Sequence, residues 1–326
     1  MSGALDVYIE WASQLEKALR STVVGAIKLD AGSLRGVAFL GMGGSGIVGD
    51  ILSKHVEGML GLPVATVKSF SLPRYVGRGW LAVAISYSGN TLETLTAFQE
   101  AVKRGVAVAA VASGGDLISM SRKLGLPYVK VDEGYLPRTA LPALLAGTSR
   151  LLEELLSISL GIEECVSALR DRGALDVAEK LARFLLGGIP VFVVPDRIYP
   201  LGLRAKNEFN ENAKVVSKVE VLPELGHNDI VGWEGSPREW IKFVVLKDRY
   251  DQLLDFITSY IGELSYPVMT VDVGRLSYLQ TVLYGSWVVG MASVILAKLR
   301  GVDPRETASI GRYKEAAKRF LESQGT

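Results

Sequence analysis

Short, almost unbroken apolar runs recur through the first half of the chain, at Val37–Leu40, Val64–Val67, Leu81–Ile85, Val106–Val111 and Tyr128–Val131. Between them, apolar residues return at helical spacing over Ile47–Leu60, Leu92–Arg104 and Leu117–Leu124. Strand-length runs without polar alternation predict strands buried on both faces, and their alternation with helices predicts a mainly parallel sheet. Ahead of them, Leu5, Tyr8, Ile9, Ala12, Leu15 and Leu19 fall at helical spacing and predict helix through about residue 30. Two long helical stretches follow the first set, Ala140–Leu160 and Glu163–Leu186. The alternation then restarts, with strands at Val191–Val194, Phe243–Leu246 and Val268–Val273. Helices are expected at Leu201–Ala213, Tyr250–Ile261 and Leu276–Leu299, and a terminal one after Asp303-Pro304. The pattern describes an α/β chain of two domains, each a mainly parallel sheet flanked by helices on both faces. Residues 1–150 form the first with its leading helix, and 151–326 hold linking helices and the second, with Arg170-Asp-Arg-Gly173 a candidate joint.

Two strand-to-helix turns break this apolar pattern with residues that carry chemistry. The first is Gly41-Met-Gly-Gly-Ser-Gly46, in which Gly41, Gly43, Gly44 and Gly46 allow a sharp turn and Ser45 offers a hydroxyl. Backbone N–H groups at the start of a helix form an anion site. A tight turn without a ligand explains this loop equally well, and no Gly-Lys-Ser/Thr follows to make it a P-loop. The second turn, Ser86-Tyr-Ser-Gly-Asn-Thr91, repeats the design with hydroxyls at Ser86, Ser88 and Thr91. Ser88 or Asn90 as a simple helix cap is the alternative. Two such turns in succession favour one shared pocket for a phosphate monoester. Together they resemble the sugar isomerase (SIS) domain, which binds phosphosugars.

Composition narrows the class. The chain has 326 residues, 48% of them hydrophobic, with net charge +1 and mean hydropathy +0.25. A large core is affordable, and near-neutral charge without a basic run argues against nucleic acid as partner. No apolar run reads as long enough for a membrane span and the N-terminal segment does not read as a signal peptide, so a cytoplasmic protein is expected. The single cysteine, Cys165, excludes an internal disulfide and reads as structural. With only His55 and His227 available, a His/Cys zinc site is hard to assemble, so no metal is expected. His55 is given no role.

Other polar clusters are weaker alone. Asn207-Glu-Phe-Asn-Glu-Asn-Ala-Lys214 is polar where a core helix should be apolar, with Glu208 and Glu211 on one face. Such a carboxylate could serve as a general base, although a solvated helix end accounts for the segment as well. Pro223-Glu-Leu-Gly-His-Asn228 places His227 in a Pro/Gly/Asn cluster, which favours function. Thr307 and Lys314 look by themselves like an ordinary helix start and a surface lysine.

Taken together with Pro137-Arg-Thr-Ala-Leu141, Asn210-Glu-Asn-Ala-Lys214 and the pair Thr307 and Lys314, these motifs closely resemble the bifunctional phosphoglucose/phosphomannose isomerases of the phosphoglucose isomerase superfamily. The resemblance covers nearly the whole chain, which departs nowhere from the motif set. It implies an enzyme, expected as a homodimer, interconverting glucose 6-phosphate and mannose 6-phosphate with fructose 6-phosphate. It further implies metal-free proton transfer through a cis-enediol with no redox cofactor. Gly44, Ser45, Ser86, Ser88 and Thr91 would bind the phosphate end, and Glu211 would be the base between C1 and C2. His227, delivered from a second subunit, and Lys314 would open the ring, and Arg138 would sit over the enediolate. Thr307 stands where conventional phosphoglucose isomerases carry glutamine, leaving room for the C2 epimer. Another SIS isomerase, or a phosphosugar-binding protein without turnover, remains the alternative.

Overall fold

The computed structural model describes residues 3–25 and 27–323. Two short helices lead, α1 (Gly3–Ile9) and α2 (Trp11–Ala18), followed by a two-residue strand β1 (Val23–Val24). The expected helix through residue 30 thus ends at Ala18; Ala26 lies outside the described residues. Then come β2 (Gly36–Leu40), α3 (Gly43–Leu60), β3 (Val64–Val67), β4 (Trp80–Ile85), α4 (Leu92–Lys103), β5 (Ala107–Ala112), α5 (Gly115–Leu124) and β6 (Tyr128–Lys130). The strands lie in the order β1-β6-β5-β4-β2-β3, parallel except for β1.

Helices α6 (Leu141–Leu156), α7 (Cys165–Ala168) and α8 (Ala174–Leu185) link this sheet to the next. The single helix expected over Glu163–Leu186 is broken at Arg170-Asp-Arg-Gly173, where the Asp171 carboxylate accepts from the Gly173 N–H at 2.8 Å. The second half runs β7 (Ile189–Pro195), α9 (Tyr199–Glu211), β8 (Lys218–Leu222), α10 (Asp229–Gly235), β9 (Ile241–Lys247), α11 (Gln252–Glu263), β10 (Val268–Asp272), α12 (Tyr278–Leu299) and α13 (Ala308–Ser323). Its four strands are all parallel in the order β10-β9-β7-β8.

Alternation along the buried strands serves both faces of each sheet. Val37, Phe39, Leu81, Val83 and Ile85 face α3 and α6, while Ala38, Leu40, Ala82 and Ala84 pack against Phe98 of α4 and Leu117 of α5. In the second sheet Phe192, Val194, Val244 and Leu246 face α9 and α12, and Val191, Val193, Phe243 and Val245 meet Trp233, Leu254 and Ile257. The inner faces of both sheets share one continuous core, so helices α3, α6, α8, α9 and α12 lie between them.

Helix α12 is long and apolar enough to cross a membrane by length and composition, contrary to the expectation that no segment is. Of its most apolar window, 83% is buried inside the protein, which makes it the shared core helix of the two halves.

Candidate active site

The first sheet changes direction between β2 and β4, and its crevice opens beyond their C-terminal ends, where open α/β sheets bind ligands. Both hydroxyl-bearing turns emerge there. Helix α3 begins at Gly43 after Met42, which supplies no side-chain cap, so the first-turn N–H groups of Gly44 and Ser45 lack an intrahelical carbonyl. Ser45 Oγ accepts from the Tyr87 N–H at 3.0 Å, tying one turn to the other. Ser86 Oγ donates to Thr91 Oγ1 at 3.0 Å, and Ser88 Oγ accepts from the Asn90 N–H at 3.2 Å. Thr91 is the N-cap of α4 but makes no capping bond, and Asn90 accepts from the Asp116 N–H instead. Neither Ser88 nor Asn90 therefore caps the helix. Gly89 has φ +70°, and a Cβ there would lie 1.9 Å from the Gly114 carbonyl oxygen, so only glycine closes this turn.

The third wall is the segment entering α6. A Cβ on Gly44 would meet the Pro137 carbonyl oxygen at 2.8 Å and Arg138 Cα at 3.2 Å. The glycine loop thus carries Arg138 on its back. The Arg138 guanidinium is buried and held at every nitrogen: Nε donates to Asn212 Oδ1 at 2.7 Å, Nη2 to the Pro304 carbonyl at 2.5 Å, and Nη1 faces Glu211 Oε2 at 3.5 Å.

Glu211 is the last residue of α9 and keeps about a quarter of its side chain accessible, at 27%. A helix C-terminus disfavours a carboxylate; here Arg138 faces it, and the Lys214 ammonium donates to the Glu211 carbonyl oxygen at 2.6 Å. Lys214 has φ +56°, a conformation uncommon for a side-chain-bearing residue. Burial, then the Arg138 charge, lower its pKa. Neighbouring Glu208 does not share the solvated end of the helix. It is 1% exposed, ion-paired with Arg204, and accepts from Tyr8 OH at 2.7 Å and Asn212 Nδ2 at 2.6 Å. Burial raises its pKa, with Arg204 opposing.

The remaining site candidates are not joined to this cluster within one chain. His227 ends an exposed 3₁₀ turn, Glu224–His227, after β8. Lys314 is exposed on α13. Among the described residues neither side chain has a hydrogen-bond or ion-pair partner. Helix α13 does approach the site: Tyr313 OH donates to Glu93 Oε1 at 3.3 Å, at the start of α4. Thr307 is half-buried before α13, in the segment that holds Arg138 through Pro304. His55 is packed away, its Nε2 3.0 Å from the Leu160 carbonyl and its ring stacked on Tyr278. Burial pushes the Cys165 thiol up to about 12. Among the described residues no three His, Cys, Asp or Glu side chains gather into a metal-holding group.

Tyr8, Asn212 and Lys214 were missed as site residues. The latter two lie inside the Asn-Glu-Asn-Ala-Lys motif, which was the available signal; Tyr8 is an ordinary apolar-face residue in sequence.

Two mainly parallel sheets of like strand order, with a hydroxyl-lined crevice in the first, define a double-SIS protein of the phosphosugar-isomerase class. Residues 175–316 match the family described as bacterial phospho-glucose isomerase C-terminal SIS domain. The bifunctional phosphoglucose/phosphomannose isomerase of Aquifex aeolicus is 34% identical over 90% of this chain and 93% of its own. The D-glucosamine-6-phosphate 4-epimerase of Sulfolobus acidocaldarius is 28% identical over 97% and 98%. Among solved structures, the glucosamine-6-phosphate deaminase of Thermotoga maritima superimposes with a TM-score of 0.71 at 17% identity, covering 93% of this chain and 96% of that one. The chain belongs to the bifunctional phosphoglucose/phosphomannose isomerase family.

Proposed function

We propose that this protein interconverts glucose 6-phosphate and mannose 6-phosphate with fructose 6-phosphate, working as a cytoplasmic homodimer built from two-domain chains divided near residue 150. The observation that carries this reading is the Arg138 guanidinium, held 3.5 Å from Glu211 on a residue whose backbone packs against the glycine loop. The phosphate is received by the N–H groups of Gly44 and Ser45 and by the hydroxyls of Ser45, Ser86, Ser88 and Thr91. That places the sugar's other end toward Glu211. Its carboxylate takes the C2 proton of the aldose, the C–H electron pair moves toward the C1 carbonyl, and a cis-enediolate forms. The O2 hydroxyl proton passes to O1, and returning the abstracted proton to C1 gives the ketose. Arg138 stays charged and contacts the oxygens where negative charge develops. His227 of the partner subunit and Lys314 serve ring opening, and Thr307 leaves space for either C2 configuration.

Purified protein given fructose 6-phosphate with EDTA should form both aldose phosphates. Glu211→Ala should keep phosphosugar binding and lose C2-proton exchange with solvent, about 10²–10⁴-fold in rate. Exchange at the parent rate removes Glu211 from the mechanism. Binding without product identifies a non-catalytic phosphosugar protein, and a product epimerised at C4 identifies a different reaction. Mixing the Glu211→Ala and His227→Ala variants tests the dimer: activity returns only if His227 acts across the interface.

A further inference from the structure

A set of buried polar side chains lies against Arg138 and comes from three separated parts of the chain. Tyr8 is on α1, Glu208 on α9, Asn212 just beyond it, and Ser293 on α12. All are buried among apolar residues. Asn212 is the junction. Its Oδ1 accepts from Arg138 Nε at 2.7 Å, and its Nδ2 donates to Glu208 Oε2 at 2.6 Å and Ser293 Oγ at 2.9 Å.

Chemistry dictates this orientation. A guanidinium N–H can only donate, and an ionised carboxylate can only accept. Turning the amide over would set Nδ2 against Arg138 and Oδ1 against Glu208, which loses both bonds in a buried place. Glu208 is itself fixed, by Arg204 on one oxygen and by Tyr8 OH at 2.7 Å on the other. Burial, with the Glu208 charge adding to it, raises the Tyr8 hydroxyl pKa well above its ordinary value, so it remains a donor. Arg204 also donates to the Arg138 carbonyl oxygen, closing the loop through the backbone. None of these groups reaches the crevice.

The geometry points to Asn212, oriented by Glu208 and Tyr8, as a positioning residue that aims the Arg138 guanidinium at the reacting carbons. The inference rests on the proposed role of Arg138. Its N–H groups beyond those bonded to Asn212, Pro304 and Glu211 are the ones left for sugar oxygens, and the Nε bond to Asn212 is the one side-chain bond shorter than 3 Å that fixes the plane, beside the backbone bond to Pro304. Supporting hydrogen bonds of this kind set rate more than affinity, because the phosphate contacts are made elsewhere.

A double-mutant cycle on the full-length protein separates positioning from mere support, using fructose 6-phosphate turnover. Asn212→Ala should lower kcat about 10–100-fold, as loss of an outer-shell partner does. KM should stay within about threefold, since ground-state binding through the phosphate is untouched. In an Arg138→Ala background the same substitution should cost almost nothing further, since Asn212 acts only through Arg138. Guanidinium ion added to Arg138→Ala should restore part of the rate when Asn212 is present and none when it is replaced. Losses that multiply across the cycle, or an unchanged kcat in Asn212→Ala beside a slowed Arg138→Ala, overturn the inference while leaving the role of Arg138 intact. Full activity in Arg138→Ala instead overturns the reading of the site itself. If Asn212→Ala does not fold, Tyr8→Phe carries the same cycle, removing one hydroxyl with no change of shape. An equal Tyr8→Phe loss with and without Arg138 again overturns the inference.

Discussion

Gly44 sits where the glycine loop touches the segment before Arg138, and it has no room for a methyl group. A Cβ would stand 2.8 Å from the Pro137 carbonyl oxygen, a backbone atom that cannot swing aside. Gly44→Ala should therefore push Pro137 and Arg138 off the loop. Overpacking of this sort costs about 1–3 kcal/mol of stability. A displacement of the guanidinium by ~1 Å should lower kcat on the order of 10²-fold. Urea unfolding and fructose 6-phosphate kinetics on the variant measure the two effects separately. This residue's place in a turn was legible, because clustered glycines have few other uses. Its contact was not: Pro137 is far along the chain, and nothing local announces it. Asn212 shows the same limit more sharply. Its neighbours Glu211 and Lys214 marked a polar segment, but the partners that define its work, Arg138, Ser293 and Tyr8, lie 74, 81 and 204 positions away.

Among the elements, the fully buried strands were the easiest to read. The run Leu81–Ile85 matches β4 to within one residue, and every side chain of that strand is buried. Strand β8 was missed. Lys218-Val-Glu-Val-Leu222 lies at a sheet edge, and Lys218 and Glu220 pair with each other there at 2.8 Å, so its charges read as loop. Helix α12 was found as a helix, but its polar residues Gln280, Thr281, Ser286 and Ser293 hid how apolar it is as a whole. The start of α11 carries a testable charge. Asp251 caps it, accepting from the Leu253 and Leu254 N–H groups at 3.1 and 3.2 Å, and pairs with Arg197 at 2.8 Å. The Arg197 hydrogen bond first, and then the helix N–H groups, hold its carboxyl below the usual value. A depressed carboxyl binds fewer protons folded than unfolded, so its contribution is complete above an unfolded pKa of about 3.9 and fades as pH falls through the lower folded value. Asp251→Ala should cost about 1 kcal/mol at neutral pH, the usual worth of a cap. The difference from the parent should shrink in acid, which urea titrations at a series of pH values would follow; a constant difference would assign the effect to packing instead.

At the scale of the whole molecule the two sheets repeat one plan. The order β10-β9-β7-β8 in the second matches β5-β4-β2-β3 in the first, so the crevice between β7 and β9 corresponds to the hydroxyl-lined crevice between β2 and β4. That second crevice is bridged by ion pairs. Arg197, after β7, donates to Asp248 Oδ2 at 2.8 Å and to Asp251, both beyond β9, where the first sheet has hydroxyls and glycines. Carboxylates of the chain already pair with the cation there. Calorimetric titration with fructose 6-phosphate or a non-reacting analogue should therefore give one site per chain, and Ser86→Ala together with Ser88→Ala should abolish it. Two sites per chain would show that the second crevice opens. The two-sheet plan was legible from alternation alone; the difference between a working crevice and a bridged one was not, because Arg197, Asp248 and Asp251 look in sequence like scattered surface charges.

The short helix α1 has a further bearing. Its Tyr8 ring lies so close to α12 that a methyl group on Gly290 would strike it, and its backbone carbonyl accepts from Trp287 Nε1 at 2.6 Å. A segment made early in synthesis thus finds its seat only on one made late. Until α12 has left the ribosome, the polar junction behind Arg138 has neither its serine nor the surface on which its tyrosine docks. A product truncated before α12 would carry every proposed phosphate-binding hydroxyl and still lack the support behind Arg138.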